Sequence, residues 1–214
     1  MNRVVVPGEV LAEKPLRIDN SFVDGEKTVS SVLGMFDEQR MSLIPLEGLW
    51  YPRKGDSVIG VIDEARMSSY NVDLNAPYKG MIIAKFTKEN LRRGDVVEAL
   101  VRGIDDTKVV ILSSPRRLSG GKVMDIKPSK VPRVIGKEKG MLKQLISGTK
   151  ANIMVGMNGR IWIHGGDIKL ATEAILKIEK EAHTSGLTER IRSMFPAGSA
   201  EEQTEQEGVP ENKE

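Results

Sequence analysis

Ile153-Met154-Val155-Gly156-Met157-Asn158-Gly159-Arg160-Ile161-Trp162-Ile163 sets two short apolar runs on either side of an Asn-Gly step. Asn and Gly tolerate the positive φ angles of a tight antiparallel turn. The stretch therefore predicts a β-hairpin closed by the G-x-N-G of Gly156, Asn158 and Gly159. Trp162 alternates with Ile161 and Ile163, so it faces away from them and is placed to act as a wedge between domains.

Working outward, a long helix is expected after Gly166. Asp167 is its candidate cap, Ile168, Ala171, Ile175, Ile178 and Ala182 form its apolar stripe, and Gly186 is its expected end. On the other side, Val131 to Ile135 reads as a strand running into Gly136-Lys137-Glu138-Lys139-Gly140. Met141, Leu142, Leu145 and Ile146 then fall on one face of a helix. The order is strand, glycine loop, helix, hairpin and helix.

Further upstream, Gly55-Asp56-Ser57-Val58-Ile59-Gly60-Val61-Ile62-Asp63 is echoed by Gly94-Asp95-Val96-Val97-Glu98-Ala99-Leu100-Val101-Arg102. Each copy is a turn followed by a strand. Tyr70, Val72 and Leu74 alternate with polar residues between them, and Val109 to Leu112 supplies a last strand. About five strands without a long helix indicate a small closed barrel of the OB type. Before the barrel, Val4-Val5-Val6, Ser30-Ser31-Val32-Leu33 and Met41-Ser42-Leu43-Ile44 read as short strands of a small all-β domain. The expected fold class is thus multidomain β and α+β: an all-β domain over 1–52, a barrel over 53–118, an α/β domain over 119–196 and a disordered acidic tail over 197–214.

Composition fits several small domains better than one deep core, since 39% of the residues are hydrophobic and 4% aromatic. The tail holds six Glu and one Lys, a net −5, which leaves +7 on residues 1–196 against +2 for the whole chain. A basic body suits a polyanionic partner. The absence of cysteine excludes disulfides, thiolate metal sites and cysteine nucleophiles. His164 and His183 lie in no metal-ligand spacing, and the adjacent carboxylates Asp63-Glu64 and Asp105-Asp106 would point to opposite faces of a strand. No catalytic residue, metal or cofactor is expected. Without an apolar span or signal-like start, the expectation is a soluble, cytoplasmic protein with no membrane partner.

Strand, glycine loop, helix, hairpin and helix is the order of a type I KH domain, whose GXXG loop clamps about four nucleotides. The preceding barrel resembles the S1-type OB module. Together with the N-terminal segment, Tyr51-Pro52-Arg53-Lys54-Gly55-Asp56-Ser57-Val58-Ile59-Gly60 and Gly156-Met157-Asn158-Gly159-Arg160-Ile161-Trp162-Ile163 resemble the KH-containing RNA-binding cap subunits of the archaeal and eukaryotic RNA exosome, the Rrp4 family. The resemblance implies a cap that is not an enzyme. Its N-terminal domain would anchor on a ring of RNase PH-like subunits, in three copies and alongside other cap subunits, while the barrels pass single-stranded RNA towards the pore for 3′-to-5′ degradation. A NusA-type transcription elongation factor also sets an OB barrel before KH domains, but carries two KH copies and a larger N-terminal domain. Polynucleotide phosphorylase needs two catalytic domains that 50 residues cannot hold.

Candidate RNA contacts are the turn and strand-end cations Arg66, Lys79, Arg92, Arg93, Arg116 and Arg117, the loop lysines Lys137 and Lys139, Arg160 of the hairpin, and Tyr78 as a stacking ring. Tyr70 shares a face with Val72 and Leu74, which argues for burial. For the hairpin, RNA contact through Arg160 or Trp162 competes with an architectural turn packed on the barrel, and architecture is favoured. With three residues between Gly136 and Gly140, the loop is expected to carry an extra residue that moves the second amide away from a phosphate.

Overall fold

The computed structural model describes residues 2–18, 20–46, 48–182 and 186–195. His183 and the acidic tail lie outside them. The chain divides into two compact units, one running to Tyr51 and including Lys127–Ser129, the other taking in Pro52–Ile126 and the residues from Lys130 onward.

The first unit contains two three-stranded antiparallel sheets. One has the order β1 (Asn2–Val5), β5 (Gly34–Asp37), β6 (Ser42–Pro45), and the other β2 (Val10–Ala12), β4 (Lys27–Ser30), β3 (Ser21–Asp24). Val5, Leu11, Ile18, Phe36 and Leu43 form their core. Of Ser30 to Leu33, expected as a strand, only Ser30 is in one, as the last residue of β4, and Ser31 to Leu33 bend between β4 and β5. The Ser30 hydroxyl donates to the Val32 carbonyl (2.7 Å) and so competes with strand pairing there.

In the second unit, β7 (Ser57–Ala65), β8 (Ser69–Asp73), β9 (Lys79–Ile83), β10 (Val96–Ile104) and β11 (Val110–Leu118) close into a five-stranded barrel of order β10-β11-β9-β8-β7. The sequence echo is one local structure used twice. In both copies an aspartate oxygen accepts from the arginine amide three residues earlier, Asp56 from Arg53 (3.1 Å) and Asp95 from Arg92 (2.8 Å). Each turn then docks on a neighbouring strand, Gly55 N–H on Val101 (2.8 Å) and Gly94 N–H on Ile62 (2.8 Å). Two copies of one capped turn start β7 and β10, which pair with each other antiparallel.

The remainder has the order β12 (Lys122–Asp125), α1 (Val131–Ile135), α2 (Gly140–Thr149), β13 (Asn152–Val155), β14 (Arg160–His164), α3 (Ile168–Glu181) and α4 (Leu187–Arg192). Its antiparallel sheet, β12-β14-β13, is covered by the helices over a core that includes Val131, Val134, Leu145, Ile161, Ile163, Ala171, Ile175 and Ile178. Val131–Ile135 is a helix, not the expected strand. Pro132 sits in its first turn, where no amide is needed, and Val131 and Val134, three apart, share the buried face. The first strand of this domain is β12. Asp167 caps α3 by accepting from Leu170 N–H (2.9 Å), but α3 ends at Glu181, and Gly186 precedes α4 instead of closing α3.

Candidate nucleic-acid interface

The hairpin between β13 and β14 is where the α/β domain meets the barrel. Asn158 is buried, and its amide makes three bonds to barrel backbone: Ile59 N–H donates to Oδ1 (3.2 Å), while Nδ2 donates to the carbonyls of Ile59 (2.8 Å) and Leu74 (2.8 Å). Met157 N–H donates to Ser57 O (2.8 Å). At Gly156 a β-carbon would stand 2.7 Å from Ile59 N and 2.4 Å from Asn158 Oδ1, so the approach of the two backbones requires glycine. Gly159 completes the turn at φ +86°. Trp162 packs with Ile59 and Leu118, and its indole N–H donates to Gly120 O (2.8 Å).

Arg160, a candidate for RNA, is turned to this joint as well. It is 8% exposed, and its guanidinium donates to Asp73 Oδ2 (2.6 Å), Asp73 O (2.7 Å) and Asp125 Oδ1 (3.2 Å). Three of its five N–H groups are thus bonded inside the protein, which makes it a strut of the joint. Partial burial pushes the Asp73 carboxyl up, but hydrogen bonds from Arg160 and the Asn75 amide, with the Arg160 charge, hold it below its ordinary value.

The other candidates divide by location and by partner. Arg66 lies in the β7–β8 turn and pairs with Glu64 (2.9 Å), whose carboxyl is lowered chiefly by that hydrogen bond. Arg93 stands 3.9 Å from Asp63, Arg117 3.5 Å from Asp95 and Arg116 2.7 Å from Glu98. Among the described residues, Lys79, Arg92, Lys137 and Lys139 have no ion pair. Arg93 and Gly94 line one open cavity of about 460 Å³ with Val61, Ile62, Asp63 and Asp73. Tyr78 is half-buried and Lys79 exposed, at the closed end of the β8–β9 hairpin, whereas Arg66 is beyond its open end.

The glycine loop departs from its expected form. Gly140 has φ −60° and ψ −44° and is the first residue of α2, so the loop between the helices is only Gly136 to Lys139. Lys139 itself takes the left-handed conformation (φ 61°, ψ 19°) at the fourth position. At Gly136, with φ +72°, a β-carbon would meet Met141 N at 2.8 Å. There is no extra residue: the spacing of glycines misled because a lysine stands where the loop turns left-handed.

Sequence reasoning passed over Phe86. It ends a 3-10 turn, Ala84–Phe86, directly after β9 and is 66% exposed. An aromatic beside Lys85 just past an apolar run was the available signal.

A KH domain model matches residues 121–169. The chain is 37% identical to exosome complex component Rrp4 of Pyrococcus furiosus, over 98% of this chain and 94% of that one. The chain belongs to the Rrp4 family of exosome components. Its counterparts from Pyrococcus abyssi (90% and 82% of the two chains) and Saccharolobus solfataricus (90% and 87%) are each 39% identical to it. A crystal structure assigned as an exosome complex RNA-binding protein superposes with a TM-score of 0.62 at 34% identity, covering 68% of this chain and 94% of that one. The hairpin that joins the KH domain to the barrel lies inside the residues matched by the KH model.

Proposed function

We infer that this chain is a cap subunit of an exosome, which binds single-stranded RNA and guides it to a degrading ring without itself cleaving bonds. The observation that carries the reading is a KH domain riveted to a five-stranded barrel in a chain related over almost its full length to exosome components. The N-terminal unit is the proposed anchor on RNase PH-like ring subunits, with three copies per ring beside other caps, in the cytoplasm. A transcription factor of the NusA type is disfavoured by the single KH copy. Purifying the chain from its host is expected to bring RNase PH-like subunits with it; co-elution with RNA polymerase instead would overturn the assignment.

Arg66, Arg92, Arg93, Arg116 and Arg117 are the proposed barrel contacts, with Lys79 and Tyr78 at the other end of the β8–β9 hairpin and Lys137 and Lys139 on the KH loop. The carboxylates beside four of these arginines do not bar phosphate, because exposed ion pairs are worth only about 0–1 kcal/mol and exchange readily. Replacing Arg92 and Arg93 with alanine is expected to weaken RNA binding and flatten its log–log salt dependence by about one to two units, at roughly 0.7–0.9 for each phosphate no longer neutralised. An unchanged slope removes both from the interface.

A further inference from the structure

OB barrels hold oligonucleotides on their second and third strands and on the loop joining the first two. Here those are β8, β9 and the turn carrying Arg66 and Met67. Base stacking needs a ring, and the sheet offers none on its open face. Tyr70, the one aromatic of β8 and β9, alternates in step with buried Val72, while Asn71, Met81 and Ile83 occupy the other face.

Phe86 supplies the ring at the edge of that sheet. The turn that carries it is tied to the β7–β8 turn by the bond from Ala84 N–H to Ser68 O (2.9 Å), so Phe86 and Met67 belong to one rim. Phe86 is two-thirds exposed and Met67 fully so. Lys85 and Lys88 flank it in sequence, with no ion pair among the described residues, and Arg66 stands on the neighbouring turn. Glu89 follows Phe86 in sequence, and Asp63 and Glu64 precede Arg66, with which Glu64 pairs. A ring left in water between unpaired cations suits a ligand that is anionic along its backbone and flat and apolar in its bases.

We propose that Phe86 is a base-stacking residue for single-stranded RNA, the platform of an RNA subsite built on the β7–β8 turn and the segment after β9. It rests on the RNA-binding reading above. Stacking is independent of ionic strength, so its loss lowers affinity without changing the salt slope, the reverse of what removing an arginine does.

The test measures binding of the full chain to a single-stranded oligouridine and to an abasic oligomer of equal length, across a salt series. Phe86→Leu, which keeps the apolar bulk and removes the ring, is expected to bind oligouridine about ten-fold more weakly with an unchanged slope, and to lose the preference for bases over the abasic oligomer. Phe86→Trp is expected to restore affinity, and its fluorescence to be quenched when RNA binds. If Phe86→Leu binds as tightly as the unaltered chain, or lowers only co-elution with ring subunits, the stacking role is overturned while the RNA-binding reading stands. If the unaltered chain binds neither oligomer, both fall.

Discussion

Replacing Asn158 with alanine is expected to destabilise the barrel–KH unit by about 3 kcal/mol, read from the denaturant midpoint of the full chain. The side chain is buried, and all three of its partners are backbone groups at the joint: Ile59 N–H, Ile59 O and Leu74 O. Each buried polar group left without a partner costs about 1–3 kcal/mol. Asn158→Asp is expected to be worse than alanine. An ionised carboxylate satisfies Ile59 N–H but presents lone pairs to two carbonyls that now receive a donor. A loss below about 1 kcal/mol for both variants would mean that water or a relaxed turn replaces the amide.

The hairpin was readable because Asn-Gly between alternating apolar runs admits few other conformations. Its use was also partly readable, since a tryptophan opposed to two isoleucines must face a second apolar surface. What the sequence hid was the fate of Arg160. A cation on a turn looks available for phosphate, and only the fold brings Asp73, 87 positions away, and Asp125 to meet it. The same holds for Val131–Ile135, where β-branched residues suggest a strand but burial at i and i+3, with Pro132 in the first turn, makes a helix. Local chemistry decided the Gly55 and Gly94 turns, and their echo was legible. Long-range pairing decided β9 and β12, which were not anticipated.

The Arg160 pair makes the second large prediction. Arg160→Met is expected to cost about 3 kcal/mol, at the low end for breaking a buried ion pair, because the carboxylates of Asp73 and Asp125 are each about half exposed and stay hydrated when the guanidinium is gone. Asp73→Asn is expected to cost about 1 kcal/mol at neutral pH, since Arg160 keeps Asp125 and the Asp73 carbonyl. The double variant should be less destabilised than the sum, as partners in one network share their loss. Acid separates charge from packing. The folded-state carboxyl of Asp73 lies below its ordinary value of 3.8, so its contribution is fully present above that value and is lost as pH falls through the lower, folded one. The stability gap between the unaltered chain and Asp73→Asn should therefore hold steady from neutral pH down to about 5 and close below about 4. A gap that persists in acid would assign the effect to the shape of the side chain and not to its charge, and would leave Arg160 anchored by the Asp73 carbonyl and Asp125 alone.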